Sequence, residues 1–244
     1  MGGRPPLLQY LRGVAQRKDF IVSLALFRIE AENQRQRLGM LWIVLKPILN
    51  AAVFGLVFGV LMASTKSVPD FVSFLVIGVF MFEFFSSTMG SGAKSITSSQ
   101  ALVQSLAFPR MALPISVVIQ KFAQLLPTVL LMMIFLMIMG HAPKVEWLLI
   151  VPLIGLYYLF CQGVAFIVAR LTVHLPDLTN LLPFITRFFF YTTGIFFSFD
   201  IRFEGNPKLL EIVQYQPVYA FLSLSRELLL ASAPLYDVRL QFWP

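Results

Sequence analysis

From Trp147 to Ala169 the chain carries no charged residue. In lipid, about 20 apolar residues in a row make a helix that crosses a hydrocarbon core roughly 30 Å thick. Four more stretches share this character: Pro47–Ala63, Phe71–Met89 (interrupted only by Glu83), Phe122–Met139 with a start near Leu113, and Leu178–Phe199, which contains Arg187. Backbone polar groups left unpaired in lipid are prohibitively costly, and the sequence lacks the alternation of barrel strands, so these five stretches read as helices. The 244 residues are 58% hydrophobic and 13% charged, whereas soluble domains carry about 25% charged residues. With a mean hydropathy of +0.79, a water-soluble fold of this length would be left with a greasy surface.

The net charge of +7 does not point to nucleic acid, because the basic residues are not gathered on a soluble module. They flank the apolar spans. Eight precede the first span (Arg4, Arg12, Arg17, Lys18, Arg28, Arg35, Arg37, Lys46), and Lys94, Arg110 and Arg170 fall in the next two loops on that side. The opposite side carries Lys66, Lys144, Arg202, Lys208, Arg226 and Arg239, matched there by acids. The bias of Lys and Arg towards the cytoplasm places the N-terminus inside. The opening Met1-Gly2-Gly3-Arg4-Pro5-Pro6 is too polar for a cleaved signal peptide.

The segments outside the spans are patterned too. Leu7, Leu8, Leu11 and Val14 recur at helical spacing, and Phe20, Ile21, Leu24 and Phe27 continue an apolar face. Residues 1–46 therefore read as an amphipathic segment that lies on the membrane or packs on a partner. Residues 200–244 hold two short helical patterns, Pro207–Gln214 and Pro217–Leu230. They end in Gln241-Phe242-Trp243-Pro244, which reads as the mouth of a sixth span.

Catalytic signals are weak. Gly90-Ser91-Gly92-Ala93-Lys94-Ser95 superficially suggests a phosphate loop, but Ala93 precedes the lysine and Thr88 stands where the first glycine belongs. His141 and His174 fall on opposite sides of the membrane, without ligand-spaced partners, so no metal site is expected. An ionisable side chain inside a span costs about 2.5–3.5 kcal/mol on insertion scales and faces protein or water. Glu83 then either pairs with Lys121 or Arg187 as a clamp, or lines a polar path with them. The aromatic run after Arg187 suits either sugar stacking or lipid contact.

At Leu38-Gly39-x-x-Trp42, followed by Pro47 at the start of a span, the sequence resembles ABC-2 type permeases of the polysaccharide branch. These are the Wzm-type O-antigen exporters with the capsule, teichoic acid and actinobacterial galactan permeases. Ser95–Pro114, with Leu102-Val103 and Phe108-Pro109-Arg110, resembles the coupling segment of that family. Leu175-Pro176-Asp177-Leu178 is similar to its Arg-Asp-Leu turn with proline for arginine, and Gln216-Pro217…Tyr219…Arg226 to its Asn-Pro…Tyr…Arg element with Gln for Asn.

The resemblance implies an all-α membrane protein, a single domain of six helices with five visible here, an N-terminal interface helix and two short outer helices. It also implies a homodimer in the bacterial inner membrane. A separate ATPase would bind ATP and Mg and contact Lys94, Gln100, Leu102, Val103, Leu106, Phe108 and Arg110. A lipid-linked polysaccharide would pass Arg187, Phe188, Phe189, Tyr191, Phe196 and Phe197, with Phe54 and Phe58 from the first span. No enzyme activity or cofactor is expected in the chain itself. An ABC-2 exporter of drugs or lipids and a proton-coupled carrier built on Glu83 and Arg187 stay open as alternatives.

Overall fold

A computed structural model of the chain describes residues 6–34, 37–54, 56–57, 70–105, 108–197, 199 and 215–230. Among these residues every regular element is helical: α1 (Leu7–Ala15), α2 (Lys18–Gln34), α3 (Trp42–Phe54), α4 (Phe71–Lys94), α5 (Gln100–Ser105), α6 (Ala112–Ile138), α7 (Ile150–His174), α8 (Leu178–Thr192) and α9 (Pro217–Leu229). Short 3-10 turns precede α3, α5 and α7.

Among the described residues, three helices are long and apolar enough to cross a membrane: Phe71–Lys94, Ala112–Ile138, and Val145–His174 with its leading turn. At 27 residues α6 is about 40 Å long, which suits the long, tilted span expected there. It stops where glycine allows it. Gly140 takes a φ of +95°, its N–H donates to Met137 O and His141 N–H to Leu136 O, a pairing that satisfies the last carbonyls of a helix. The apolar segment of α4 is 78% buried in protein, against 33% for each of the other two. α4 is therefore wrapped by neighbours, while α6 and α7 present apolar faces such as Leu130, Ile138, Leu156 and Leu159 outward.

The two remaining expected spans differ. α3 begins at Trp42, so Pro47 lies one turn inside the helix rather than at its mouth. Residues 55 and 58–63 of that expected span fall outside the described residues. α8 has 15 residues, about 22 Å of helix, and ends at Thr192 rather than Phe199. The Thr193 hydroxyl and N–H both donate back to Phe189 O, and Gly194 turns the chain at a φ of +63°. A Cβ at Gly194 would lie 2.9 Å from the Phe199 ring, so both conformation and space require glycine there.

The chain divides into two compact units: residues 1–42, 86–125 and 158–184, and residues 43–85, 126–157 and 185–244. In the first, Val14 and Ile21 pack on Ala112, surrounded by Tyr10, Phe20, Phe108, Met111, Ile115 and Ile119. This gives the N-terminal helices an intramolecular partner. The single apolar face expected on α2 splits accordingly: Ile21 is buried while Phe27 is 66% exposed, beside exposed Val22 and Leu26. Also in this unit, Gly92 on α4 meets Ala165 on α7 so closely that an added Cβ would fall 2.9 Å from the alanine Cβ. Small residues permit such close approach of helices in lipid.

Candidate functional site

In the second unit the aromatic residues after Arg187 sort onto two sides. Phe188 and Tyr191 are 66% and 57% exposed, and Arg187 is exposed with them. Phe189 meets Phe85 edge-on at 5.9 Å and Phe190 meets Phe82 at 5.3 Å. Phe196 is buried and packs on Phe190 at 5.1 Å, while Phe197 packs on Phe199 at 5.0 Å. A ring contributes its large area wherever it is packed. Phe189 and Phe196 therefore support the fold, while Arg187, Phe188 and Tyr191 lie exposed along one edge of α8. The Phe54 side chain and Phe58 lie outside the described residues.

The same unit contains a site the sequence disclosed only in part. Arg226 on α9 is 1% exposed. Its Nε donates to Phe74 O at 3.2 Å, Nη1 to Gly194 O at 2.9 Å and Nη2 to Ile195 O at 3.2 Å. The Gly194 and Ile195 carbonyls belong to the non-helical stretch after α8, outside any helix ladder that would donate to them. Irregular backbone at membrane depth is tolerated when protein groups satisfy it, and five N–H donors in a fixed fork suit this task. Gly78 leaves the room, since a Cβ there would stand 2.4 Å from Nη2. Gln216, in place of the asparagine of the resembling element, donates from Nε2 to Thr193 Oγ1 at 3.1 Å. Tyr219 packs edge-on against Phe199 at 5.1 Å. The Gln-Pro…Tyr…Arg element thus fastens α9 to the 193–199 break. A small residue at 78 amid large apolar neighbours was the one local signal.

Nearby, His141 Nε2 lies 3.2 Å from Ser73 Oγ and 3.9 Å from Asp70 Oδ2, joining the turn after α6 to the start of α4. Glu83 sits on an exposed side of α4. Lys121, one of two cations considered as a clamp partner for Glu83, is held by Glu32 at 3.1 Å. The carboxylate comes from the N-terminal segment, whose packing on α6 was not legible in span hydropathy.

In the first unit the segment between α4 and α6 is structured. Ser95 Oγ donates to Gly92 O and Ser98 Oγ to Lys94 O, so hydroxyls cap the end of α4. The turn Thr97–Ser99 then leads into α5. Lys94, Gln100 and Arg110 are exposed, and Leu102 and Val103 half-buried. Leu106 lies outside the described residues. Phe108 packs on Phe20 with ring centroids 5.4 Å apart. With Pro109 and the α1 residues Gln9, Tyr10 and Gly13 it lines an open cleft of about 520 Å³.

Long apolar helices, one of them sheathed in protein, with ordered polar segments at their ends, define a helical membrane protein. The ABC-2 type transporter family model matches residues 24–230, and the chain belongs to that family. It is 26% identical over 220 residues to the O-antigen export system permease protein RfbA of Klebsiella pneumoniae, covering 90% of this chain and 83% of that one. With the protein of the same name from Myxococcus xanthus it shares 25% identity over 222 residues, covering 87% and 85%.

Proposed function

We propose that this chain is the membrane-spanning subunit of an ATP-driven exporter for a lipid-linked polysaccharide, of the O-antigen, teichoic acid or galactan kind. The observation that carries the reading is family membership across residues 24–230, with similarity to permeases named for O-antigen export. The exposed pair Phe188 and Tyr191 beside Arg187 supports a sugar-binding path, because aromatic faces and a cation suit a polyhydroxylated, anionic chain.

The sequence lacks a phosphate loop, so ATP and Mg are bound by a separate ATPase subunit. Its docking surface is the segment from Lys94 to Arg110, with α5 at its centre. The N-terminus and this segment lie in the cytoplasm, in keeping with the excess of basic residues there. The permease works as a homodimer in the inner membrane. Residues 1–46 form its cytoplasmic portion, and the helices that follow, α5 apart, form its membrane portion through α8.

The test is reconstitution in proteoliposomes with the ATPase encoded beside it. ATP-dependent movement of a lipid-linked oligosaccharide is expected. Movement that proceeds without the ATPase on a pH gradient would sink this reading in favour of a secondary carrier.

A further inference from the structure

Within the first unit, α2 turns one stripe inward. Ile21 and Ala25 on it are 5% and 1% exposed. Arg28 and Glu32 extend it by the +3 and +4 steps that keep residues on one helix face. Arg28 Nη2 donates to Ser99 Oγ at 3.1 Å, in the turn that leads into α5. Burial lowers the pKa of this guanidinium from its ordinary value, so the contact is partly withdrawn from water.

One turn further on, Glu32 accepts from α6. Its Oε2 takes hydrogen bonds from Gln120 Nε2 at 2.8 Å, Lys121 Nζ at 3.1 Å and Gln124 Nε2 at 3.1 Å, and its Oε1 a second from Lys121 at 3.2 Å. A lone surface ion pair is worth about 0–1 kcal/mol. Three donors converging on one carboxylate form a network that fixes rotation as well as distance. The Lys121 side chain is only 10% exposed. α2 is thus gripped at two adjacent turns, by the loop segment through Arg28 and by a spanning helix through Glu32.

We propose that α2 is the strut that carries displacement of the 97–105 segment into α6, with Arg28 and Glu32 as its two positioning residues. This rests on reading that segment as the ATPase docking surface. A helix resists bending over one turn, so a shift at Ser99 is delivered at Gln120, Lys121 and Gln124 with little loss.

The experiment compares the wild-type complex with Arg28→Gln and Glu32→Gln in proteoliposomes, and measures polymer moved per ATP hydrolysed. Both variants are expected to retain the ATPase and hydrolyse ATP near the wild-type rate, a split that a merely structural role does not predict. Export per ATP should fall about fivefold or more, the scale of a typical coupling free energy. The reversed pair, Glu32→Lys with Lys121→Glu, should recover part of the loss. It also serves if Glu32→Gln fails to insert. Export per ATP unchanged in Arg28→Gln and Glu32→Gln, or no recovery in the reversed pair, overturns the strut while leaving the docking reading intact. Wild-type export that is independent of ATP overturns both.

Discussion

The guanidinium carbon of Arg226 sits 3.5 Å from the centroid of the Phe74 ring, while Nε of the same group donates to the Phe74 carbonyl at 3.2 Å. Side chain and backbone of one residue on α4 thus hold one arginine on α9. The remaining nitrogens reach Gly194 and Ile195, so three separated segments share a single cation.

Replacing Arg226 with Gln should therefore destabilise the protein strongly. Each carbonyl left unmet costs about 1–3 kcal/mol, and the cation–π contact is lost as well. Arg226→Lys should rescue only in part, since an ammonium cannot reproduce the fork. Thermal unfolding of the detergent-solubilised protein, followed by size exclusion, measures both. A Lys variant as stable as the parent would show that charge alone suffices.

Gly78→Ala should mimic loss of Arg226. The new methyl would occupy the place of Nη2, 2.4 Å away, and push the guanidinium off its carbonyls. Combining Gly78→Ala with Arg226→Gln should cost clearly less than the two separate effects added, as residues acting through one contact do. Additive melting shifts would disprove the shared notch.

Phe188→Ala with Tyr191→Ala should abolish oligosaccharide binding with little change in melting temperature, because both rings are exposed. Phe190→Ala should do the reverse. It opens a cavity among Phe82, Phe196 and Tyr191 and costs about 3–5 kcal/mol. Binding titrations beside melting curves separate the two, and undiminished binding in the exposed double variant would rule out the aromatic path.

Leu102→Glu and Phe108→Glu should differ in a way the sequence does not foretell. The first places a charge on half-buried α5 and should uncouple the ATPase while the permease still inserts. The second also disrupts the cluster around Val14, Ile21 and Ala112, so its melting temperature should fall with its activity. Co-purification, ATP turnover and unfolding temperature, taken together, test the distinction.

Gln162→Leu should raise stability. Both amide atoms of Gln162 are buried without a hydrogen-bonding partner, as is the Thr88 hydroxyl. An unsatisfied buried polar group costs about 1–3 kcal/mol, and leucine has a similar shape. A fall in melting temperature would mean that the amide is bound in the working protein.

The spans at α4, α6 and α7 were legible because unbroken apolarity over twenty residues has few soluble explanations. The end of α8 was not. Phe196, Phe197 and Phe199 are as apolar as the helix before them, and hydropathy cannot tell a crossing helix from a packed turn. Only Gly194 hinted at the change. Arg226 was misleading for the opposite reason: a charge in a polar stretch reads as water-exposed, and its burial depends on partners in α4. Lys121 found Glu32 in the same non-local way. The exposed residues of the aromatic run, by contrast, could not be separated from Phe189 and Phe196 without knowing which side α4 occupies.

The bond from Arg226 to Phe74 spans 152 positions of chain. At synthesis rates of about 5–20 residues per second, the start of α4 emerges on the order of ten seconds before the arginine that completes it. During that interval the recess at Gly78 stands empty and the Phe74 carbonyl lacks this donor. The newborn subunit is thus a half-finished object in the bilayer, and arrival of α9 marks the moment it becomes worth keeping.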